Sequence, residues 1–273
     1  MQFKDTVIDL STPKVMGILN VTPDSFSDGG HYKQLDMAIK HAEKMASEGA
    51  VFIDVGGEST RPGAADVSLQ QELDRVIPVI EKITTSLDVI VSIDTSKADV
   101  MREAVKAGAG LINDVRALQE EGALRAAAEA NVPICLMHMQ GQPRTMQNAP
   151  SYENVVEDVM LFLRSRIEAC VKAGINDKSI LLDPGFGFGK RVEDNYQILK
   201  HLAQFSRLAC PLLVGLSRKS MLGAVTQRDV DERLAGSIAG ATLCALNGAS
   251  VIRVHDVKET VDAVSVVTAM QTL

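Results

Sequence analysis

Long hydrophobic runs are missing from this 273-residue chain, although 46% of its residues are hydrophobic. No stretch approaches the roughly 20 apolar residues that span a bilayer, so no membrane partner is expected. The N-terminal Met1-Gln-Phe-Lys-Asp-Thr6 has no basic segment followed by an apolar one, and it does not read as a signal peptide. Positive charge is in deficit too, with a formal net charge of −7. Nucleic-acid binders normally carry a basic face, so no such partner is expected. Any anion site has to be a local arrangement of Arg, Lys, His and backbone N–H groups. Cysteine is sparse and scattered, at Cys135, Cys170, Cys210 and Cys244. No Cys-x-x-Cys pair and no zinc-type spacing occurs, and the histidines are too dispersed for a zinc triad. The reading is buried free thiols in a cytoplasmic protein. Linkers, charge blocks and low-complexity tracts are also lacking, which favours one domain over residues 1–273.

What the chain does have is a recurring unit. Short apolar runs end on polar residues at turns: Val15–Leu19 at Asn20, Val51–Ile53 at Asp54, Val89–Ile93 at Asp94. Leu111-Ile leads to Asn113 and Asp114, Pro133–Met137 to His138, and Ile180–Leu182 to Asp183. Leu212–Leu216 leads to Ser217, Arg218 and Lys219, and Val251–Val254 to His255 and Asp256. Continuous apolar runs are the signature of parallel strands buried on both faces. Eight strand–helix units predict an α/β fold, a closed (β/α)8 TIM barrel, with its chemistry at the C-terminal strand ends.

Helical periodicity fills the intervals. Leu35, Ala38, Ile39, Ala42 and Met45 share one face of a helix over Leu35–Ser47. Ser68 reads as the N-cap of the next. Further helices are expected over Ser96–Ala107, Gly122–Ala130, Tyr152–Ala173, Val192–Gln204, Asp231–Leu246 and Val257–Met270. Three connections, Val21–Gln34, Gly56–Val67 and Met139–Ser151, are longer than the geometry needs. The first two follow strands one and two at the functional end and are expected to close over substrate.

The polar strand ends carry the chemistry. Asp54, Asp94, Asn113 and Asp183 combine donors and acceptors suited to a polar heterocycle. The competing role of each is to cap a helix or satisfy loop N–H groups. A basic group comprises Arg61, Arg218, Lys219, Arg253 and His255. Arg253 and His255 alternate on one strand and so point the same way. A cation inside the barrel is expensive without an anion partner. This argues for a phosphate or diphosphate, which TIM barrels often place near strands seven and eight, with an internal carboxylate as the competing partner of Arg253. Asp183-Pro-Gly-Phe-Gly-Phe-Gly-Lys190 and Gly56-Gly-Glu-Ser-Thr-Arg-Pro-Gly63 match neither the dinucleotide fingerprint nor the Walker loop. The first reads as a tight loop placing Phe188 near a ligand. His138 is as readily a packing residue as a ligand. No Ser–His–Asp or Cys–His set stands out, so the site suits a displacement in which a phosphate leaves.

These segments, in order, resemble the dihydropteroate synthase family. Leu19-Asn-Val-Thr-Pro-Asp-Ser-Phe-Ser-Asp-Gly-Gly30 resembles its first signature and Gly56–Gly63 its second. Ser92–Thr95, Ile112–Asp114, Leu182–Gly185, Ser217–Ser220 and Arg253–Asp256 resemble its later blocks, so the likeness covers nearly the whole chain. The resemblance implies condensation of 7,8-dihydropterin-6-ylmethyl diphosphate with 4-aminobenzoate, with Mg2+ as cofactor, in a homodimer. It implies that Asp94, Asn113 and Asp183 hydrogen-bond the pterin ring, with Lys219 beside it. Met137, Phe188 and Gly215 would wall the ring and Arg253 stack on it. Asn20 would help bind Mg2+ and diphosphate, with Arg253 and His255 on the anion. Thr60, Pro62 and Ser217 would surround aminobenzoate, and Asp28 and Arg61 complete the closed site. A pterin-dependent methyltransferase and a non-catalytic pterin-binding subunit are the rivals. The first should lack the Thr-Pro-Asp-Ser-Phe-Ser and Ser-Thr-Arg-Pro loops, and the second should have lost a motif.

Overall fold

In the computed structural model, which describes residues 1–22, 31–59, 66–141, 146 and 149–272, a short hairpin precedes a closed parallel barrel. The hairpin pairs β1 (Gln2–Phe3) with β2 (Thr6–Val7). The barrel strands are β3 (Lys14–Asn20), β4 (Phe52–Gly56), β5 (Ile90–Asp94) and β6 (Leu111–Asp114). They continue with β7 (Ile134–Met137), β8 (Ile180–Asp183), β9 (Leu212–Val214) and β10 (Ala249–Val254). Sequential strands are neighbours and β10 closes on β3. Each of the expected apolar runs is a barrel strand, because burial on both faces leaves little room for polar residues.

Side chains alternate across each strand, so every second residue faces the barrel axis. At the N-terminal end the interior holds Met16, Phe52, Leu111, Cys135, Leu181, Leu213 and Val251, packed with Phe3 of the hairpin. Phe3 meets Phe52 edge-on, with ring centroids 5.1 Å apart. This dry plug closes the floor. Two residues further along the strands, the inward positions are Asp54, Asn113, Met137, Asp183, Gly215 and Arg253. The interior thus turns from apolar to charged within one layer, which is what puts the chemistry at the C-terminal mouth.

The helices are α1 (His31–Ser47), α2 (Leu69–Ser86), α3 (Ala98–Ala107), α4 (Ala123–Ala130), α5 (Val155–Lys172), α6 (Val192–Lys200), α7 (Ser220–Thr226), α8 (Leu234–Leu246) and α9 (Val257–Gln271). Ser68 caps α2 as expected: its hydroxyl accepts the Gln71 N–H at 3.3 Å, and the Gln71 side chain accepts the Ser68 N–H at 3.0 Å. This fixes a helix that buries Val76, Val79, Ile80 and Ile83 on the sheet.

Some boundaries differ from the sequence expectation. The helix expected over Tyr152–Ala173 starts later, since Asn154 caps it by accepting from the Val156 and Glu157 N–H groups. Val192–Gln204 breaks at His201 into α6 and a 3-10 helix over Leu202–Leu208. Asp231–Leu246 splits in the same way, with a 3-10 turn over Val230–Glu232 ahead of α8. The N-terminal hairpin and α7 were not expected, each being too short to show a period. No helix among the described residues is long and apolar enough to cross a membrane.

Candidate active site

Four strands bring one hydrogen-bonded group to the mouth. Arg253 on β10 donates from Nε to Asp54 on β4 at 2.6 Å and from Nη2 to Asp94 on β5 at 3.0 Å. Asn113 on β6 donates to both Asp54 oxygens, at 3.3 and 3.5 Å. Asp54 is fully buried, and its partners keep its charge compensated. Burial works against the Arg253 charge, and Asp54 and Asp94 more than offset it, holding the guanidinium protonated. Burial, then the adjacent Asp54 carboxylate, pushes Asp94 up to about 7. The internal-carboxylate alternative for Arg253 is therefore realised. The Arg253 charge is thus compensated within the protein by Asp54 and Asp94.

Asp183 ends β8 and is buried. Its Oδ1 accepts the Gly185 N–H at 2.7 Å, which fixes the carboxylate's rotation. Burial raises its pKa, against the lowering influence of Lys219. Gly185 has φ +70° and lies so close to the His138 carbonyl that a Cβ would collide with it. Lys219 follows β9, donates to the Phe186 carbonyl, and sits 4.6 Å from the centroid of the Phe188 ring. Burial pulls its ammonium down to about 8, with Asp183 opposing. Met137 pairs with Asp183 across β7 and β8. Gly215 abuts the Arg253 stem: a Cβ there would lie 3.6 Å from that of Arg253. The space over the acidic floor thus has Met137, Phe188, Gly215, Lys219 and Arg253 around it.

Ser217 and His255 interlock on the β9 and β10 side. The Ser217 hydroxyl lies 3.1 Å from His255 Nδ1 and accepts the His255 backbone N–H at 3.3 Å. Asn20 Oδ1 and Asp94 Oδ2 flank Gly56, each 3.8 Å from where a Cβ would stand. Among the described residues no group of three or more His, Cys, Asp or Glu could hold a metal. A hard cation here would need the Asn20 amide oxygen supplemented by substrate oxygens. That donor set fits Mg2+, which commonly takes one or two protein ligands plus phosphate.

Other residues fall elsewhere. Asp28, Thr60, Arg61 and Pro62 lie outside the described residues. Arg218, grouped by sequence with the basic residues of the site, is an ion-pair partner of Asp256. Asp114 accepts from the Ser96 hydroxyl and the Arg116 and Leu118 N–H groups, so it serves the loop. His138 is a packing residue, edge-on to Phe162 at 4.9 Å. The four cysteines are free, and all but half-buried Cys210 are buried. Sequence reasoning missed the buried Glu72, which takes hydrogen bonds from Thr95 at 2.6 Å and from Lys97. Lys97 also pairs with Glu58, tying the stem after β4 to α2. A Lys three residues beyond Asp94 was the available signal.

Comparison with known proteins agrees with this geometry. Residues 16–255 match the family described as pterin binding enzyme. The dihydropteroate synthase of Escherichia coli strain K12 is 57% identical over 264 residues, covering 97% of this chain and 94% of that protein. The Yersinia pestis dihydropteroate synthase, in a crystal structure with a sulfonamide drug complex, superposes with TM-score 0.96 at 55% identity, covering 100% and 99% of the two chains. The Xanthomonas albilineans enzyme in complex with 7,8-dihydropteroate superposes with TM-score 0.89 at 48% identity, over 97% and 96%. The chain belongs to the pterin-binding enzymes and, within them, to the dihydropteroate synthases.

Proposed function

We propose that this transferase condenses 7,8-dihydropterin-6-ylmethyl diphosphate with 4-aminobenzoate, releasing diphosphate and 7,8-dihydropteroate for folate synthesis. The observation that carries the reading is the floor of the mouth. Two carboxylates and an amide, Asp94, Asn113 and Asp183, converge there from three strands. The walls beside them hold an apolar Met137 and Phe188 and the cations Lys219 and Arg253. A flat heterocycle rich in N–H donors needs acceptors along its edge and apolar or planar groups on its faces. Asp183 accepts from the aminopyrimidinone edge, and Asn113 and Asp94 bond the rest of the ring. The planar guanidinium of Arg253, held at its edge by Asp54 and Asp94, stacks on the ring.

Diphosphate is held by Arg253, His255 and Asn20. When bound with it, Mg2+ neutralises charge on the leaving group. Asp94, next to the reacting methylene, stabilises positive charge that develops as diphosphate departs. Aminobenzoate, between Ser217 and the segment of Thr60 and Pro62, attacks that carbon through its amine. The reaction needs no covalent enzyme intermediate. Asp28 and Arg61 complete the site after diphosphate binds, which makes binding ordered. In calorimetry, free enzyme should bind aminobenzoate poorly and bind it well once Mg2+, diphosphate and pterin are present. Equal binding to bare enzyme would reject the ordered scheme.

The enzyme works as a homodimer in the cytoplasm. The free thiols support that compartment. The dimer is supported by apolar residues left on the outer helices, with Val225 59%, Leu243 46%, Val266 71% and Met270 56% exposed. Light scattering should give twice the monomer mass, and a monomer at micromolar concentration would contradict it.

A further inference from the structure

The ammonium of Lys190 is buried beside the site and has no carboxylate within hydrogen-bond reach among the described residues. Its neighbours are the carbonyls of Gly185 at 2.8 Å, Phe188 at 3.0 Å and His138 at 3.3 Å, and His138 Nδ1 at 2.9 Å. An ammonium has three protons, so four acceptors saturate it. Burial pulls its pKa to about 7, with Asp183 and Asp194 opposing and Lys219 adding to the fall. Burial and the Lys190 charge press His138 down to about 2, so the imidazole stays neutral. An ammonium can only donate, so a protonated Lys190 at 2.9 Å requires Nδ1 to accept and places the ring proton on Nε2.

The contacts join a fixed wall to a loop that serves the pocket. His138 is steadied by Phe162, and its backbone N–H donates to the Asp183 carbonyl at 2.9 Å. Tyr152 donates to the Gly189 carbonyl from the same side. On the loop, Phe188 N–H closes onto the Gly185 carbonyl at 3.1 Å, forming the turn that Lys190 grips at both ends. That turn supplies the Gly185 N–H on Asp183, the Phe186 carbonyl for Lys219, and the Phe188 ring under Lys219. Gly187 also abuts the Lys219 stem, 3.2 Å from where its Cβ would be. The contacts that orient Asp183 and Lys219 from this side thus pass through a turn whose two end carbonyls Lys190 holds, while Asn195 Oδ1 accepts the Gly187 N–H between them at 2.6 Å.

We propose that Lys190 is a positioning residue of the pterin pocket, clasping the Gly185–Phe188 turn onto His138 so that Asp183 and Lys219 meet the ring in register. The proposal rests on the pterin reading above. Lys190 does not touch substrate. It sets the shape of the groups that do.

The test compares wild type, Lys190→Met and Lys190→Gln. Calorimetry with a pterin lacking phosphate reads the pocket, and steady-state kinetics separates the two KM values. Met removes all donors, whereas Gln restores two of them without charge. Lys190→Met should weaken pterin binding about tenfold or more, and Lys190→Gln should fall between it and wild type. KM for the pterin diphosphate should rise while KM for aminobenzoate stays within about twofold, a split that general loss of structure would not produce. If Lys190→Met does not fold, Lys190→Gln carries the same comparison. In wild type, nitrogen NMR should show His138 protonated at Nε2 alone. Unaltered pterin affinity in the variants, a proportional rise of both KM values, or His138 protonated at Nδ1 would overturn the proposal. Wild type that bound no pterin would overturn the pterin reading and this proposal with it. Wild-type binding with unaltered variant binding would overturn this proposal alone.

Discussion

Arg253 on the last barrel strand donates to Asp54 on the second across 2.6 Å, a pair separated by 199 positions in sequence. With the second bond to Asp94, the guanidinium is held on two sides by the protein itself. Lys would keep the charge but offers a point donor where Arg uses a fork. Arg253→Lys should therefore fold normally by circular dichroism and lose about tenfold to a hundredfold in kcat/KM, the value of one or two charge-assisted bonds of about 1.5–3 kcal/mol. A rate within twofold of wild type would show that the fork is dispensable.

Asp183 accepts two donors from the pterin edge in this account, and Asn would set a donor against one of them. Leaving a buried donor unpaired costs about 1–3 kcal/mol, so Asp183→Asn should weaken pterin diphosphate about tenfold or more in calorimetry. Unchanged affinity would remove Asp183 from the pterin edge.

Asp94 gives the site a pH dependence. Its carboxyl titrates at about 7 in the free enzyme, raised from 3.8 by burial and then by Asp54. Only the deprotonated form can accept from Arg253 and from the pterin ring with both oxygens, so pterin affinity should climb between pH 6 and pH 8 with a midpoint near 7, and Asp94→Asn should flatten the profile. Stability runs the other way. A carboxyl that holds its proton more tightly in the fold favours the fold at low pH, and that contribution is lost as pH rises from about 4 towards 7. A flat wild-type affinity profile would contradict the assignment.

Mg2+ enters this account only with diphosphate, through Asn20. A chelator should abolish turnover while leaving the Tm of the free enzyme unchanged. A fall in Tm on chelation would reveal a resident structural metal and contradict that picture.

Sequence revealed the barrel well because its strands are buried on both faces and so stand out as apolar runs. The hairpin that plugs the floor escaped notice because Phe3 is a lone apolar residue with no repeat around it. The position of polar residues at the mouth was legible wherever they followed an apolar run, as at Asn20, Asp94, Asn113 and Asp183. Two kinds of fact were not legible. Partner choice was one: no pattern in the sequence says which carboxylates meet Arg253, and only the meeting of β4, β5 and β10 brings Asp54 and Asp94 to it. Arg218 looked like an anion ligand for the same reason, and Asp256 takes it. Support was the other: Lys190 appears in sequence as the end of a glycine-rich loop. Its role depends on His138, which is 52 positions away.

The most direct test of the central claim is product formation by purified enzyme with Mg2+ and pterin diphosphate, with and without 4-aminobenzoate. The account predicts 7,8-dihydropteroate and diphosphate in equal amounts, formed at a sustained rate only when the amine is present. A pterin diphosphate that remains unconsumed with both substrates present, or diphosphate release that never yields dihydropteroate, would contradict it.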